Sequence, residues 1–333
     1  MNNTESSAII RKQIAIRNYL CSTEQEEVVV SEIIEGLSAQ QKYIPSKFFY
    51  DANGSKLFED ITNLPEYYPT RTEKALLKEI APQISKTFRN IDIVELGSGD
   101  CSKISILLDA IPFENMATVR YIPVDVSHAA ISKSARILVE RFPDITVHGL
   151  IADFLKHLNV IPKETKRLFC FFGSTLGNLT RKQSVQFLLD LKAVMKPGDQ
   201  LLIGLDMVKD IKVLENAYND NQGVTAAFNK NILSSVNQYI KTAFSPDWFE
   251  HVAFYNQAKD RIEMHLRALK NLEISCMYLP NNILIKKGET IHTENSHKYT
   301  HWHIFDFAST TGLKINTVYT DNNQWFSLVH FIA

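Results

Sequence analysis

The sequence predicts an α/β chain built on a mostly parallel, doubly covered sheet, with a second, smaller α+β unit. Three observations carry this. Between about residues 72 and 208, short apolar runs alternate with helix-length segments, the rhythm of βαβ units. The runs IDIVELG (91–97), RLFCFFGS (167–174) and QLLIGLDMV (200–208) are apolar throughout, as strands covered on both faces must be. Beyond 208 the rhythm gives way to two helices and then to alternating strands.

The elements follow in order. Residues 24–39, TEQEEVVVSEIIEGLS, read as a helix whose early acids complement its positive end. Residues 43–71 are aromatic and turn-rich, and their prolines and Asn-Gly pair predict irregular chain that lines something. A helix over 72–89 leads into the strand at 91–97. Helices at 102–111, 128–141 and 181–195 then alternate with strands at 121–127, 145–154, 167–174 and 200–208. Helices over 209–218 and 223–239 precede antiparallel strands within 249–279. There Ile262, Met264 and Leu266 alternate with Glu263, His265 and Arg267. The tail predicts two further strands joined near Asp321-Asn322, a hairpin that finishes the sheet.

Composition narrows the function classes. A formal net charge of −1 gives no general attraction to nucleic acid or to anionic lipid. No apolar run approaches the roughly 20 residues of a membrane span, and the first residues lack the pattern of a secretory signal. The four cysteines (Cys21, Cys101, Cys170 and Cys276) are far apart and form no CxxC pair, against a zinc site or a disulfide framework. The expectation is a cytoplasmic protein with reduced thiols and neither nucleic acid nor membrane as partner. His297, His301 and His303 have suggestive spacing, but no neighbouring carboxylate or cysteine completes a site, so no metal is expected.

The first strand ends in Glu95-Leu-Gly97-Ser-Gly99-Asp100 and opens a helix. Glycines there let backbone approach a ligand, and the helix start offers free N–H groups. The loop lacks the third glycine of the dinucleotide fingerprint and has no phosphate-cradling GK[ST]. The second strand ends in Asp125, suited to ribose hydroxyls. The third ends in Asp153-Phe154, an acid for an adenine amino group with an aromatic beside it. Each aspartate alone reads equally as a helix cap or a solvated turn. Together, at successive strand ends, they point to S-adenosyl-L-methionine.

The segments FFYDANGSKLFEDITNLPEYYPTR, VELGSGDCSK, PVDVS, ADF, FFGSTLGNLT, GLDMVKD, AYNDNQGVTAAFNKN, RIEMHLRA and TENSHKY occur in order from about residue 40 to the end. In them the chain resembles the histidine Nα-methyltransferases of ergothioneine biosynthesis. The resemblance implies a Rossmann-like class I methyltransferase sheet at 72–208 plus 298–333, and a substrate-binding α+β domain at 20–71 plus 209–297. Residues 1–19 would be an N-terminal extension. It implies S-adenosyl-L-methionine as methyl donor, L-histidine as the amino-acid partner, and trimethylation of its α-amino group to hercynine. Carried over by motif, Gly97, Lys103, Asp125, Asp153 and Phe154 would hold the donor. Tyr50, Tyr68, Asn178, Tyr218, Met264, Glu294 and Ser296 would hold the amino acid, with Tyr50 and Asn178 also catalytic.

These residue types suit the chemistry. The Asn178 amide and Tyr218 hydroxyl can fix a carboxylate and an amine without adding charge. Its role as a helix cap is already filled by Thr180. Glu294 and Ser296, two apart on extended chain, face one side and can bind the polar edge of an imidazole while Met264 packs its face. Tyr67 reads as packing at a domain boundary, and Cys101 as a small helix residue. The oligomeric state stays open. The alternative within the class is N-methylation of another aromatic amino acid, such as a tryptophan derivative. Outside it stand an NAD-dependent oxidoreductase, disfavoured by the missing third glycine, and a silent metabolite binder, disfavoured by the presence of both donor acids.

Overall fold

The structure, a computed structural model, describes residues 13–20 and 22–333. Six strands come first along the chain: β1 (Ile14–Asn18), β2 (Ile91–Leu96), β3 (Val119–Asp125), β4 (Thr146–Ile151), β5 (Lys166–Phe171) and β6 (Gln200–Asp206). Five belong to a second unit: β7 (Phe249–Asn256), β8 (Arg261–Ala268), β9 (Leu272–Ile274), β10 (Ile283–Ile285) and β11 (Thr290–His297). The hairpin β12 (Lys314–Thr320) and β13 (Phe326–Ile332) ends the chain.

The large sheet has the order β1-β4-β3-β2-β5-β6-β13-β12, parallel from β1 to β6 and antiparallel where β13 joins β6 and β12. Every residue of β2 is buried, because helices cover both faces. Successive side chains point opposite ways. Ile93 packs with Leu77, Leu107 and Leu138 under helices Tyr68–Ser85, Ser102–Asp109 and His128–Arg141. Val94 packs with Phe169, Leu188 and Ile304 under helices Arg181–Val194 and His301–Thr311. This arrangement is the α/β, mostly parallel and doubly covered sheet that the sequence predicts.

A third core lies in the second unit. There Ile33, Phe49, Phe228, Ile232, Met264 and Leu266 pack helices Ser22–Ser38 and Val224–Ile240 onto the antiparallel sheet β11-β8-β7. No helix among the described residues is long and apolar enough to cross a membrane.

Several elements differ from the sequence expectation. Residues 43–71 are largely helical, with a 3-10 turn at Ser46–Phe49 and a helix at Ala52–Thr62. Asp51 caps that helix by accepting from Gly54 N at 2.6 Å. A Cβ on Gly54 would lie 1.7 Å from the Phe49 carbonyl oxygen, so this glycine serves close packing, not a turn. The next helix starts at Tyr68 instead of 72, with Pro69 in its first turn where no N–H is needed. Ile14–Asn18, expected to lie in an extension outside both domains, adds an edge strand beside β4; residues 1–12 lie outside the described residues. Helix His301–Thr311 was not foreseen and begins on a capping box of Thr300 and His303. Glu263 and His265, which alternate with the apolar residues of β8, are buried as well. Arg261 and Asn256 cover the acid, and the Phe254 ring stacks on His265 at 5.6 Å.

Candidate active site

The carboxyl ends of β2 to β6 share one edge of the sheet, where open α/β sheets place ligands. Beyond β2 the chain turns through left-handed Gly97 (φ 71°), Gly99 (φ 51°) and Cys101 (φ 57°). Cys101 thus stands at the N-cap of helix Ser102–Asp109, outside the helix body. The Phe154 ring lies 3.6 Å from where a Gly97 Cβ would stand, and packs edge-on against Phe171 and Phe187. Asp125 accepts from Ser127 N at 2.9 Å and from Gly99 N at 3.4 Å. Burial pushes its carboxyl up while these N–H groups hold it down. Asp153 accepts from Leu155 N at 2.9 Å, and the backbone ties Ala152 to Asp125 at 3.0 Å.

Lys103, in the first turn, reaches Glu73 at 2.7 Å. Glu73 is fully buried and also accepts from Gly173 N at 2.8 and 2.9 Å. The Ser98 hydroxyl, inside the glycine loop, is buried without a partner among the described residues. Two partly open carboxylates, an orphan hydroxyl, a helix start and a lysine at one strand edge fit a nucleoside with an amino-acid tail. S-adenosyl-L-methionine is such a molecule.

Beside this edge, Phe58, Tyr67, Tyr218, Phe228, Met264 and Glu294 line a small cavity. Glu294 reaches it from β11, where a bulge between His292 and Glu294 sets it opposite Met264 of β8. Burial pushes the Glu294 carboxyl up to about 7, with Lys298 pulling the other way. Ser296, on the same face, accepts from the Tyr218 hydroxyl at 2.8 Å. Tyr67 was set aside on sequence; its ring meets Tyr218 edge-on at 6.2 Å and forms part of the wall. Tyr50 is 46% exposed and packs edge-on against Phe58 and Phe228. Its phenol is pushed up, first by burial and then by Glu294, Tyr218 and Asp125. Through Phe58 and Phe228 it borders the cavity.

Behind the cavity lies a charged network that sequence reasoning missed. Asp206, at the end of β6 and 1% exposed, is bound by Lys209 at 2.5 Å, by Lys298 at 2.8 Å, and by the Tyr68 hydroxyl at 2.8 and 2.9 Å. The Tyr68 hydroxyl is therefore already committed to Asp206 and to Lys209. The two lysines hold the Asp206 carboxyl below its ordinary value despite the burial. Asp206, Lys209 and Lys298 sit within GLDMVKD and TENSHKY, the only signal that marks them.

Asn178 ends the 3-10 turn Thr175–Asn178 after β5. Gly177 brings the turn against β11, its carbonyl 2.9 Å from His297 Nδ1. Thr180 caps the following helix through a capping box with Gln183, and no hydrogen bond engages the Asn178 side chain among the described residues. His297, His301 and His303 do not converge: His297 is spent on Gly177 and His303 on Thr300. Glu263, His265 and His292 do come together, their ligand-type atoms within 4.8 Å. Arg261 already neutralises that carboxylate through two bonds of 2.8 and 2.6 Å and pulls it down to about 2 despite burial. His292 Nε2 meets the Glu294 carbonyl oxygen at 2.9 Å, so the trio braces the bulge from behind.

The family model of histidine-specific, SAM-dependent methyltransferases matches residues 29–333. The histidine N-alpha-methyltransferase of Mycobacterium tuberculosis is 37% identical over 95% of this chain and 98% of its own length. Ergothioneine biosynthesis protein 1 of Neurospora crassa is 30% identical over 85% of this chain and 32% of its own. The 4-dimethylallyltryptophan N-methyltransferase of Epichloe festucae var. lolii is 25% identical over 89% and 92%. With the glycine loop, the acids at successive strand ends and the cavity beside them, the chain belongs to the histidine-specific, SAM-dependent methyltransferase family.

Proposed function

We propose that the chain methylates the α-amino group of L-histidine three times, giving the trimethyl betaine hercynine. The observation that carries this is the bulged strand β11, on which a carboxylate (Glu294, at the cavity wall opposite Met264) and a hydroxyl (Ser296) share a face. An imidazole uses both polar groups, whereas a phenyl ring uses neither and an indole only one. This favours histidine over a tryptophan derivative.

S-adenosyl-L-methionine supplies an electrophilic methyl group on a sulfonium. Gly97, Lys103, Asp125, Asp153 and Phe154 hold the donor, and the free Asn178 amide with Tyr218 orients the amino acid at the sheet edge. Tyr68 contributes by fixing Asp206. The transfer is an in-line displacement, so alignment is the main requirement. Tyr50 stays a neutral phenol, which makes it a hydrogen-bonding and positioning group and a poor base. The amine loses its proton to solvent, helped by the nearby sulfonium charge. This reading assigns 72–208 plus 298–333 to the donor and 20–71 plus 209–297 to the amino acid. Buried free thiols at Cys101, Cys170 and Cys276 support a reducing, cytoplasmic setting.

Calorimetry in the presence of S-adenosylhomocysteine tests the reading. L-Histidine is expected to bind, and phenylalanine and tryptophan to bind at least about tenfold more weakly, since the unused Glu294 and Ser296 would stay unpaired. Equal binding of all three would overturn it.

A further inference from the structure

The inference concerns Lys298, and it rests on the histidine reading above. Lys298 is 0% exposed. Its backbone is pinned, the N–H by Asp260 O at 2.7 Å and the carbonyl by Arg181 at 2.7 Å. Its ammonium has three N–H groups and three partners: Asp206 at 2.8 Å, Ser296 Oγ at 2.8 Å and the Tyr218 hydroxyl at 3.2 Å. None is left for a ligand, so Lys298 acts only through its neighbours.

Those neighbours are two hydroxyls with limited options. An ammonium donates and never accepts. Ser296 Oγ accepts from Lys298 and also from the Tyr218 phenol at 2.8 Å. A serine hydroxyl has two lone pairs and one hydrogen, so both acceptor sites are filled. Its own hydrogen remains without an acceptor among the described residues, and on the face that Ser296 shares with Glu294 it is free for a ligand. The phenol is the stronger acid of the two hydroxyls, which favours this direction of the Tyr218–Ser296 bond over its reverse.

We infer that Lys298 is a specificity-determining positioning residue: by making Ser296 a donor opposite the acceptor Glu294, it sets the site to read a neutral imidazole in a single tautomer. One ring nitrogen gives its hydrogen to Glu294, and the other accepts from Ser296. An imidazolium has no acceptor for Ser296, and an indole has only the donor. The ring's tautomer in the complex is therefore written by a lysine that never touches it.

Two experiments test this. The first uses the unaltered protein: L-histidine labelled with ¹⁵N in the ring, bound with S-adenosylhomocysteine, examined by NMR. One protonated nitrogen and one lone-pair nitrogen, without averaging, is the expected result. Two protonated nitrogens, or a single averaged tautomeric signal, would overturn the inference while leaving histidine as substrate. No histidine binding at all would remove the histidine reading and the inference with it.

The second is a cycle of Lys298→Met, Ser296→Ala and the double variant. Lys298→Met still leaves Asp206 paired with Lys209 and Tyr68, one carboxylate against one ammonium, so no buried charge is left unpaired. S-adenosylhomocysteine binding should stay within about twofold. Each single variant should weaken histidine binding about tenfold, the double variant no more than about twofold further, because both remove the same oriented hydroxyl. Independent losses that multiply to about a hundredfold would show that Lys298 supports the fold and not Ser296. An unchanged affinity in Lys298→Met would dismiss the role.

Discussion

Glu294→Gln separates what the carboxylate does for the substrate from what it costs the fold. The substitution keeps the volume at the cavity wall and removes the charge. In the free protein, burial holds the Glu294 carboxyl at about 7 against an ordinary 4.5. In the unfolded chain the group ionises near 4.5, so stability falls as pH rises from about 4.5 to 7 and stays lost above that. The gap corresponds to a penalty on the order of 3 kcal/mol. Glu294→Gln should therefore unfold at a higher temperature than the wild type at pH 8, with the difference vanishing below about pH 4.5. Histidine turnover should move the opposite way. A hydrogen bond to a charged acceptor contributes about 1.5–3 kcal/mol and a neutral one about 1, so kcat/KM should fall roughly two- to thirtyfold. Thermal denaturation across pH and steady-state kinetics with L-histidine read the two effects. A variant that melts lower at pH 8, or that keeps wild-type kcat/KM, would refute the assignment of Glu294 as a buried acceptor awaiting a ring N–H.

Three further outcomes follow from the same geometry. Asp125→Ala should weaken S-adenosylhomocysteine binding by at least about 1.5 kcal/mol in calorimetry; unchanged affinity in a folded variant would mean that Asp125 does not hold the ribose. Asp206→Asn strands two buried lysines without an anion and should destabilise by about 3–5 kcal/mol, read as the denaturant midpoint at neutral pH. The Asp206 carboxyl is held below its ordinary value, so that stabilisation is present above the unfolded value and is lost as pH falls through the folded one; a loss of stability independent of pH would contradict the ion-pair account. Glu294→Ala should cost histidine more than phenylalanine or tryptophan, narrowing selectivity, and a uniform loss would make Glu294 a structural residue.

What was legible in the sequence is what depends on neighbours along the chain. The apolar runs of β2, β5 and β6 announce a sheet covered on both faces, and the acids Asp125 and Asp153 mark strand ends by position alone. The helices inside 43–71 were hidden because Asn53-Gly54 is a turn signal unless another backbone presses on the glycine, as Phe49 does. β11 was only partly legible: Glu294 and Ser296 read as extended chain, but HTENSH is polar, and it is a strand by virtue of β8, which fixes its register. Asp206, Lys209 and Lys298 carry no local mark of burial, since charged residues are ordinarily exposed. The pairing of Asp206 with Lys298 across more than 90 positions is a property of the folded chain. Tyr67 was misjudged for the same reason, because a packing tyrosine and a wall tyrosine look alike until the cavity exists.

The central claim is tested most directly by incubating the protein and S-adenosyl-L-methionine with an equimolar panel of amino acids and reading the products by mass spectrometry. The account predicts that L-histidine alone is consumed appreciably and gains three methyl groups, all on Nα and none on the ring. Methylation stops there because the quaternary nitrogen has no lone pair left. Accumulation of a ring-methylated histidine, or preferential methylation of tryptophan or phenylalanine, would contradict it.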